Sequence, residues 1–326
     1  MAAATKVKMK LEAIELSVGE SNVRTLAGLL LFLAGLISAQ AAELRFVTHE
    51  SSLDIHIGSV RIASYVWRDE KMLRPYFAHL KVPSGLEVTR NHPPIRGTDA
   101  VDHDTMHPGL WLAFGDVSGA DFWRNKAKIE HVEFAEAPNV RDQAGTFAVQ
   151  NRPRSGTQEI CAQLCRYSIR KSASGYLLTI DSTFRAPDAD FYFRDQEEMG
   201  LGVRVATPIA VKNGGRMIDS EGRINEKEIW GNSAKWCDYS GAINGQKVGI
   251  TLMPHPDNLR PSWFHSRDYG ALVANPFGRK AFGKGDSSRV FVKKGEVLPL
   301  RFGVFVHEGD INPNQGYANY LKVEAN

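Results

Sequence analysis

Apolar and polar residues alternate along much of the chain, and this pattern most restricts how it can fold. Leu53, Ile55 and Ile57 are each followed by a polar or small residue, and Leu201 and Val203 repeat the period of two. Because successive side chains of a β-strand point to opposite faces, this period predicts strands that bury one face. Helical patterns are scarce in comparison, so we predict an all-β, mainly antiparallel protein.

Turn residues divide the predicted strands into hairpins. Residues 158–170 and 175–184 flank a Ser-Ala-Ser-Gly turn and are predicted to pair. Residues 289–293 and 297–306 flank Lys-Gly-Glu and are predicted to form another hairpin. Because proline cannot donate to a strand ladder, Pro299 predicts an edge position or a bulge in the last of these runs.

One helix and one domain complete the predicted architecture. Asn312 and Pro313 have the residue types of an N-cap and a first-turn proline, so a C-terminal helix is predicted after them. Short strands with long connections predict a large β-sandwich. No linker rich in Ser, Pro or Gly interrupts residues 42–326, which we therefore predict to form a single domain.

Residues 1–41 have the three parts of a secretory signal. Basic residues precede an apolar run at 26–39, and Ala39 and Ala41 supply the small residues of a cleavage site. The run is shorter than the ~20 residues needed to cross a bilayer, and no later run approaches that length. We predict that residues 1–41 are a signal peptide and that the mature protein is periplasmic or extracellular. An uncleaved anchor is the alternative.

Acidic and basic residues nearly balance. The chain has 40 Lys and Arg against 37 Asp and Glu, a formal charge of +3, and no basic stripe with interleaved aromatic residues. Nucleic acid is therefore not an expected partner. The chain also has neither a Gly-rich phosphate loop nor a dinucleotide-binding fingerprint, so no cofactor is predicted.

Three cysteines do not predict a disulfide scaffold. Cys161 and Cys165 are four residues apart, which is ~13 Å along an extended strand, whereas a disulfide requires Cα atoms within ~7 Å. A bridge from one of them to Cys237 stays open. The odd number of cysteines favours small buried thiols.

Three segments of different composition separate the strand patterns and are predicted to be long, site-bearing loops. Residues 89–125, 191–200 and 230–283 are dense in Gly, Asp, His, Trp and Arg. Loops that carry such side chains on a rigid sheet are where binding and catalytic sites are usually built. The site hypothesis depends on these three segments meeting in space.

The first segment contains His103 and His107, with two carboxylates beside them. An imidazole can serve as acid or base, so both are candidate catalytic residues, with Trp111 as a binding residue. The same pair could ligate a divalent metal, but Pro108 and Gly109 argue against a helix that would place both rings on one face. The alternative is a hydrogen-bonded loop that holds Trp111 in the core.

The second segment carries Glu197 and Glu198 directly before a predicted strand. Crowding raises the pKa of one carboxyl group and would make it a proton donor, so both are candidate catalytic residues. The alternative is a solvated turn, which is the commoner meaning of a charged run.

The third segment mixes aromatic rings with hydrogen-bonding side chains. Sugar rings present apolar faces and a rim of hydroxyls, so flat aromatics beside polar groups suit a carbohydrate. The candidate binding residues of this segment are Trp236, Asp238, Trp263, His265, Arg267, Asp268 and Asn275. In the alternative interpretation, Trp236 and Trp263 anchor the core and Arg267 pairs with Asp268.

These segments resemble a bacterial family that is labelled PmoA family or methane oxygenase PmoA. The matching stretches are RPYFAHLKVPSGLEVTR (74–90), DHDTMHPGLWLAFGDVSGADFWRNKA (102–127), DQEEMGLGVRVAT (195–207), WCDYSG (236–241) and RDYGALVANPFG (267–278). The label refers to an integral membrane enzyme, whereas no transmembrane run follows residue 41 here. Many members of the family have adjacent histidines where this chain has only His103 and His107, which argues further against a metal site.

The resemblance implies carbohydrate chemistry, because the family is found beside sugar-processing genes. It also implies an architecture that resembles the β-sandwich of aldose mutarotases, where His and carboxylate side chains act on a sugar in a concave sheet. We therefore expect an exported protein that acts on a carbohydrate or another small molecule by epimerisation, elimination or hydrolysis. Three alternatives stay open: a non-catalytic carbohydrate-binding module, a metal-dependent oxidase or oxygenase, and a structural envelope protein.

Overall fold

Two large antiparallel sheets pack face to face in the computed structural model, which describes residues 43–324. The predicted signal peptide lies outside the described residues. The strands, in chain order, are β1 (Leu44–Thr48), β2 (Ser52–Ile57), β3 (Val60–Val66), β4 (Tyr76–Ala78), β5 (Leu110–Phe114), β6 (Lys128–Arg141), β7 (Ala144–Ser155), β8 (Gln158–Glu159), β9 (Ala162–Ser172), β10 (Gly175–Arg185), β11 (Phe191–Phe193), β12 (Met199–Arg204), β13 (Arg216–Asp219), β14 (Cys237–Ile243), β15 (Gln246–Pro254), β16 (Trp263–Arg267), β17 (Ala271–Asn275), β18 (Val290–Val292) and β19 (Val297–Glu308).

Strands that are remote in sequence are neighbours in both sheets. The first sheet has the order β1-β2-β3-β4-β5-β12-β17-β16, and the second has the order β13-β14-β15-β19-β10-β9-β7-β6, with β8 paired to β7. β11 and β18 form a separate two-stranded ribbon. The predicted all-β, mainly antiparallel sandwich is confirmed.

The hydrophobic core lies between the inner faces of the two sheets. Leu201 and Val203 of β12 and Ile250 of β15 are buried there, together with Leu53 and Ile55 of β2. Each strand alternates these apolar residues with residues of its outer face, as the period of two predicts. The outer face of the first sheet is thereby left for polar and aromatic side chains.

The two predicted hairpins have different outcomes. β9 and β10 pair throughout their length, as predicted. The second predicted hairpin is wrong, because β18 pairs with β11 while β19 lies between β10 and β15. Partners remote in the chain decide these pairings, and a local turn signal does not encode them. Pro299 has the predicted edge position, since β15 pairs with β19 only over residues 302–308.

Two α-helices accompany the sheets in the described part of the chain. α1 (Asn225–Ile229) contacts β16, and α2 (Pro313–Glu324) covers part of the outer face of the second sheet. The predicted C-terminal helix is confirmed, and the Asn312 side chain caps it by accepting a hydrogen bond from Asn314 N at 3.0 Å. Neither helix has the length and apolar character needed to cross a membrane.

Cys161, Cys165 and Cys237 are buried free thiols, as predicted, and no bridge to Cys237 forms. Burial raises the pKa of all three thiols, to about 12 for Cys161 and about 11 for Cys165. The three thiols therefore stay protonated at neutral pH and behave as small apolar side chains.

The three segments predicted as long loops contain strands as well as long connections, so that prediction is right only in part. β5 lies within 89–125, β11 within 191–200, and β14 to β17 occupy much of 230–283. Neighbouring residues of these segments therefore point to opposite faces of a sheet instead of sharing one loop surface.

Candidate functional site

Four strands of the first sheet, β5, β12, β17 and β16, present the candidate site on their outer face. Trp111, Gly202, Val273 and His265 are successive cross-strand partners in one row across this face. With ~4.8 Å between neighbouring strands, the row is about 14 Å wide. Gly202 has no side chain, so the large groups stand at the two ends of the row.

A column of four rings lies at the β5 end of this row. Tyr269 stacks on His103, with ring centroids 6.0 Å apart and planes 9° apart. His103 stacks on His107 and His107 on Trp111, each pair with centroids 4.9 Å apart. The column buries His107 and Trp111, whereas the side chain of His103 stays 39% exposed.

A buried arginine holds the loop that carries both histidines. Arg90 is 1% exposed, and its guanidinium donates hydrogen bonds to the backbone carbonyl oxygens of Ala100, Asp102, His103 and His107. Arg74 is also buried and donates to the carbonyl oxygen of Met106 at 2.6 Å. Burial lowers the pKa of Arg74 to about 9 and that of Arg90 to about 10, so both stay charged at neutral pH. The loop conformation thus depends on two internal positive charges.

Two further side chains orient His103. Arg204 is buried, lies 4.5 Å above the ring of Tyr269, and donates two hydrogen bonds of 2.9 Å to the carboxylate of Asp102. Asp102 accepts in turn from Nδ1 of His103 at 2.7 Å. Burial raises the pKa of Asp102, but these partners outweigh that effect and hold the pKa well below its ordinary value. The ionised carboxylate holds Nδ1, so Nε2 is the ring nitrogen that is left for a ligand.

The backbone of His103 is also unusual. Its φ of 52° lies in the left-handed region, which residues other than glycine seldom adopt. Such a conformation costs about 1–3 kcal/mol and persists where the surroundings over-determine it. The Asp102 carboxylate and the stacked rings supply those surroundings, so the contacts that orient the imidazole also hold the strained backbone.

His107 is in a different state from His103. Its Nδ1 lies 3.4 Å from Nη1 of Arg204, and the residue is 6% exposed. Burial, followed by the nearby positive charges, lowers the pKa of His107 well below its ordinary value, so its ring is neutral at pH 7. His107 therefore separates His103 from Trp111 as a buried ring and presents no exposed base.

The two histidines do not suit a metal ion. Their rings are stacked face to face, and their Nδ1 atoms are engaged by Asp102 and Arg204. The guanidinium of Arg204 adds a positive charge that opposes a cation beside His107. Among residues 43–324, no three His, Cys, Asp or Glu side chains are grouped so as to hold a metal.

The second group of candidate residues lies at the β16 end of the row. Oε2 of Glu197 is 3.2 Å from Nη2 of Arg267 and 3.1 Å from Nδ1 of His265. The second contact lies off the hydrogen-bond axis, so the buried Nδ1 of His265 has no aligned partner. Contact with His265 lowers the pKa of Glu197 against the opposing effect of burial. This carboxylate is therefore ionised at neutral pH, and 33% of its side chain is exposed.

Arg267 pairs with two glutamates and not with Asp268. Its Nη1 donates to Glu226 at 2.8 Å, while Nη2 contacts Glu197. Asp268 instead bonds the start of α1, because its Oδ1 accepts from Glu226 N at 3.0 Å. Tyr269 follows Asp268 directly in the chain and lies under the guanidinium of Arg204. Arg267 of the Glu197 group and Tyr269 of the ring column are therefore two residues apart in the chain.

Glu198 and Asn275 lie on the same face but are already engaged. Glu198 forms a 2.7 Å ion pair with Arg124. Asn275 is fully buried, and its Nδ2 donates to the carbonyl oxygens of residues 196 and 197. Asn275 therefore positions the loop that carries Glu197 and is not exposed to a ligand.

Two predicted binding residues lie on the other sheet. Trp236 and Asp238 belong to the outer face of the second sheet, where Nε1 of Trp236 donates to Asn314 of α2. Trp263, in contrast, is on the outer face of the first sheet, half-buried on edge strand β16 beside Phe282. The structure therefore brings together the predicted residues of all three segments, with Trp236 and Asp238 as the exceptions.

Several residues of the site are absent from the candidates drawn from sequence, among them Arg90, Arg204 and Tyr269. Arg204 continues the outward positions of β12 after Gly200 and Gly202, and this period of two is a signal that could have identified it. Arg90 has no comparable local signal, because its burial depends on carbonyl groups of a loop that follows it in the chain.

A methyl group at position 202 is expected to destabilise the protein by about 1–3 kcal/mol. An added Cβ would lie 2.7 Å from the indole of Trp111, which His107 and Trp123 clamp in place. Chemical denaturation of Gly202→Ala measures the loss. In a Trp111→Leu background the same substitution should have much less effect, and equal losses in both backgrounds would contradict the close approach.

The fold and the site define a β-sandwich protein with an aromatic and ionic site on one outer sheet face. The chain belongs to the family of unknown function DUF6807, whose profile matches residues 52–320. No protein with curated annotation matches its sequence.

Several solved structures are similar to the chain. A galactose mutarotase-like protein from Clostridium acetobutylicum gives a TM-score of 0.40 at 10% identity, covering 83% of this chain and 100% of that one. A galactose mutarotase-like protein from Lactobacillus casei gives 0.36 at 10% identity, covering 81% and 100%. The galactosidase domain of an alpha-galactosidase-sucrose kinase gives 0.38 at 9% identity, covering 82% of this chain and 41% of that one.

Proposed function

We propose that the chain binds a carbohydrate over the outer face of the first sheet and removes a proton from it, with His103 as the base. The observation that carries this proposal is the contact of Arg204 with Asp102 and of Asp102 with His103, which leaves Nε2 of an exposed imidazole free. A carboxylate that holds Nδ1 fixes the tautomer and stabilises the positive ring formed by proton transfer. Removal of residues 1–41 would release the protein to the periplasm or the cell exterior.

The groups on the same sheet face as His103 suit the hydroxyl rim and apolar faces of a sugar. Tyr269 supplies an aromatic ring, and the partly exposed Glu197 and Arg267 supply a charged acceptor and a charged donor. Charge-assisted hydrogen bonds of this kind are roughly twice as strong as neutral ones. The Glu197 group would therefore position the sugar while His103 takes the proton.

The ionised carboxylates favour proton abstraction over hydrolysis. A glycosidase that uses two carboxyl groups needs one of them protonated to donate to the leaving oxygen. Asp102 and Glu197 both have lowered pKa values, so neither is suited to that role at neutral pH. Epimerisation and elimination both begin with removal of a proton by a base, and they are the reaction classes that we propose.

A second candidate function is a carbohydrate-binding module without catalysis. The observation that favours it is that His107 and Trp111 are buried and that Glu198 is already paired with Arg124. Such a module would use Glu197 and Arg267 for binding and would not need a base. The two candidates differ in whether His103 affects turnover or only affinity.

A thermal-shift screen of the full chain against monosaccharides, uronic acids, oligosaccharides and divalent metals tests the binding step. A ligand at a hundred times its dissociation constant stabilises the native state by ~2.7 kcal/mol. We expect a sugar to raise the melting temperature and Arg267→Met to abolish that shift. Arg185→Met, at an exposed arginine of β10, is the matched control. No shift with any sugar, or an equal shift in Arg267→Met, would contradict the proposal.

A further inference from the structure

A second polar site lies on the outer face of the second sheet, beside α2. A groove of about 530 Å³ is open there, with Asp238, Ser240 and His307 among the residues that line it. Arg216 and Lys247 stand at its exposed rim. None of these residues takes part in the site on the first sheet.

Three strands build the floor of this groove around one glycine. Ser240, Gly249 and His307 are cross-strand partners on β14, β15 and β19. A Cβ at position 249 would lie 2.6 Å from the imidazole of His307, so only glycine lets this ring lie across β15. The ring thereby reaches Asp238 on the far strand.

The polar groups of the floor are buried and joined by hydrogen bonds. Oδ1 of Asp238 accepts from Nε2 of His307 at 2.8 Å and from the hydroxyl of Thr251 at 2.7 Å. Asp238 is 3% exposed, His307 is 2% exposed and Thr251 is 0% exposed. Replacement of such groups by apolar ones is often neutral or favourable for stability alone, which makes a purely structural purpose a weak explanation.

One atom of this network lacks a partner. Nδ1 of His307 is buried and makes no hydrogen bond to the described residues. Nε2 is engaged by Asp238, so Nδ1 is the ring nitrogen that is left for a ligand. A buried polar atom without a partner costs about 1–3 kcal/mol, and a hydroxyl group hydrogen-bonded to it would remove that cost.

The rim adds one positive charge without a partner. Lys247 is paired with Asp310. Arg216 is exposed and forms neither an ion pair nor a side-chain hydrogen bond with any described residue. A guanidinium in this state offers the bidentate geometry that fits a carboxylate.

We propose that this groove binds a small hydroxylated carboxylate, a sugar acid, with its carboxylate on Arg216 and a hydroxyl hydrogen-bonded to Nδ1 of His307. The apolar side chains of Ile218 and Ile311 line the groove as well and contact the carbon skeleton. This second site is separate from the His103 site, because the two lie on the outer faces of different sheets. It does not depend on the reaction proposed for His103.

Titration calorimetry of the full chain tests this proposal. The ligands are D-glucuronate and, as its uncharged counterpart, D-glucose. Glucuronate is expected to bind saturably and at least tenfold more tightly than glucose. Arg216→Ala should lower glucuronate affinity at least tenfold, while Arg185→Ala, at an exposed arginine of β10, should not change it. Absence of saturable glucuronate binding, or unchanged affinity in Arg216→Ala, overturns the proposal.

A second pair of variants locates the binding without disturbing the buried network. Ala242 is an exposed residue that lines the groove, so Ala242→Trp should block binding and leave the melting temperature unchanged. Arg267→Met, which is expected to abolish sugar binding on the first sheet, should bind glucuronate as the unmodified chain does. Loss of binding in Arg267→Met together with full binding in Ala242→Trp would assign the ligand to the first sheet and overturn the proposal.

Discussion

Replacing Arg90 by Met is expected to destabilise the protein by about 3–5 kcal/mol. The buried guanidinium donates to four carbonyl groups of the loop at 100–107, and Met would leave them without these donors. Hydrogen bonds to charged groups contribute about 1.5–3 kcal/mol each, and bonds that share one donor group do not add fully. The loss therefore exceeds that of most single substitutions.

Urea denaturation measures this loss, and hydrogen exchange locates it. The amides of residues 102–107 should lose protection in Arg90→Met. Arg185→Met, at an exposed arginine, should stay within about 0.5 kcal/mol of the unmodified protein. A loss below 1 kcal/mol in Arg90→Met would show that the loop does not depend on the buried charge.

Replacing His103 by Gln is expected to lower the rate of proton transfer by about 10²–10⁴, the usual contribution of a positioned base. Gln keeps the size and polarity of the side chain but cannot accept a proton at neutral pH. The rate is measured as deuterium incorporation into the sugar that stabilises the protein, in D₂O, by mass spectrometry. Binding of that sugar should change little.

Asp102→Asn separates orientation from proton transfer. It removes the carboxylate that fixes the His103 tautomer, so kcat should fall while KM stays close to its original value. The kcat profile against pH should also shift, which loss of packing alone would not produce.

His49→Gln is the matched control for His103→Gln, because His49 is another exposed histidine held by a carboxylate, that of Asp54, at 3.1 Å. Full deuterium incorporation in His103→Gln would exclude His103 as the base.

The sequence predicts the strands and the core well because both depend on local alternation. Leu201 and Val203 show one period of two and are buried as that period requires. Strand partners are harder to predict, because β12 lies between β5 and β17, whose residues are remote in the chain. The assignment of 290–292 to a hairpin with β19 fails for this reason.

The sequence predicts only part of the candidate site, because contacts between residues remote in the chain are not encoded in local patterns. His103 and His107 stack because one turn joins them, with His107 N donating to His103 O at 2.9 Å, and the prediction from Pro108 that the rings do not share one face missed this turn. Trp236 and Asp238 have the residue types of a sugar site, but their strand belongs to the second sheet, and composition does not encode that assignment. The pair of Arg204 and Asp102 joins residues 102 positions apart and appears only in the folded chain.

A crystal structure of the protein soaked with the sugar that gives the largest thermal shift would show which surface holds the ligand. We expect a sugar on the outer face of the first sheet, with a hydroxyl or C–H group within hydrogen-bond reach of Nε2 of His103 and with hydroxyls on Glu197 and Arg267. A sugar bound away from this face, with His103 uncontacted, would exclude the proposed site.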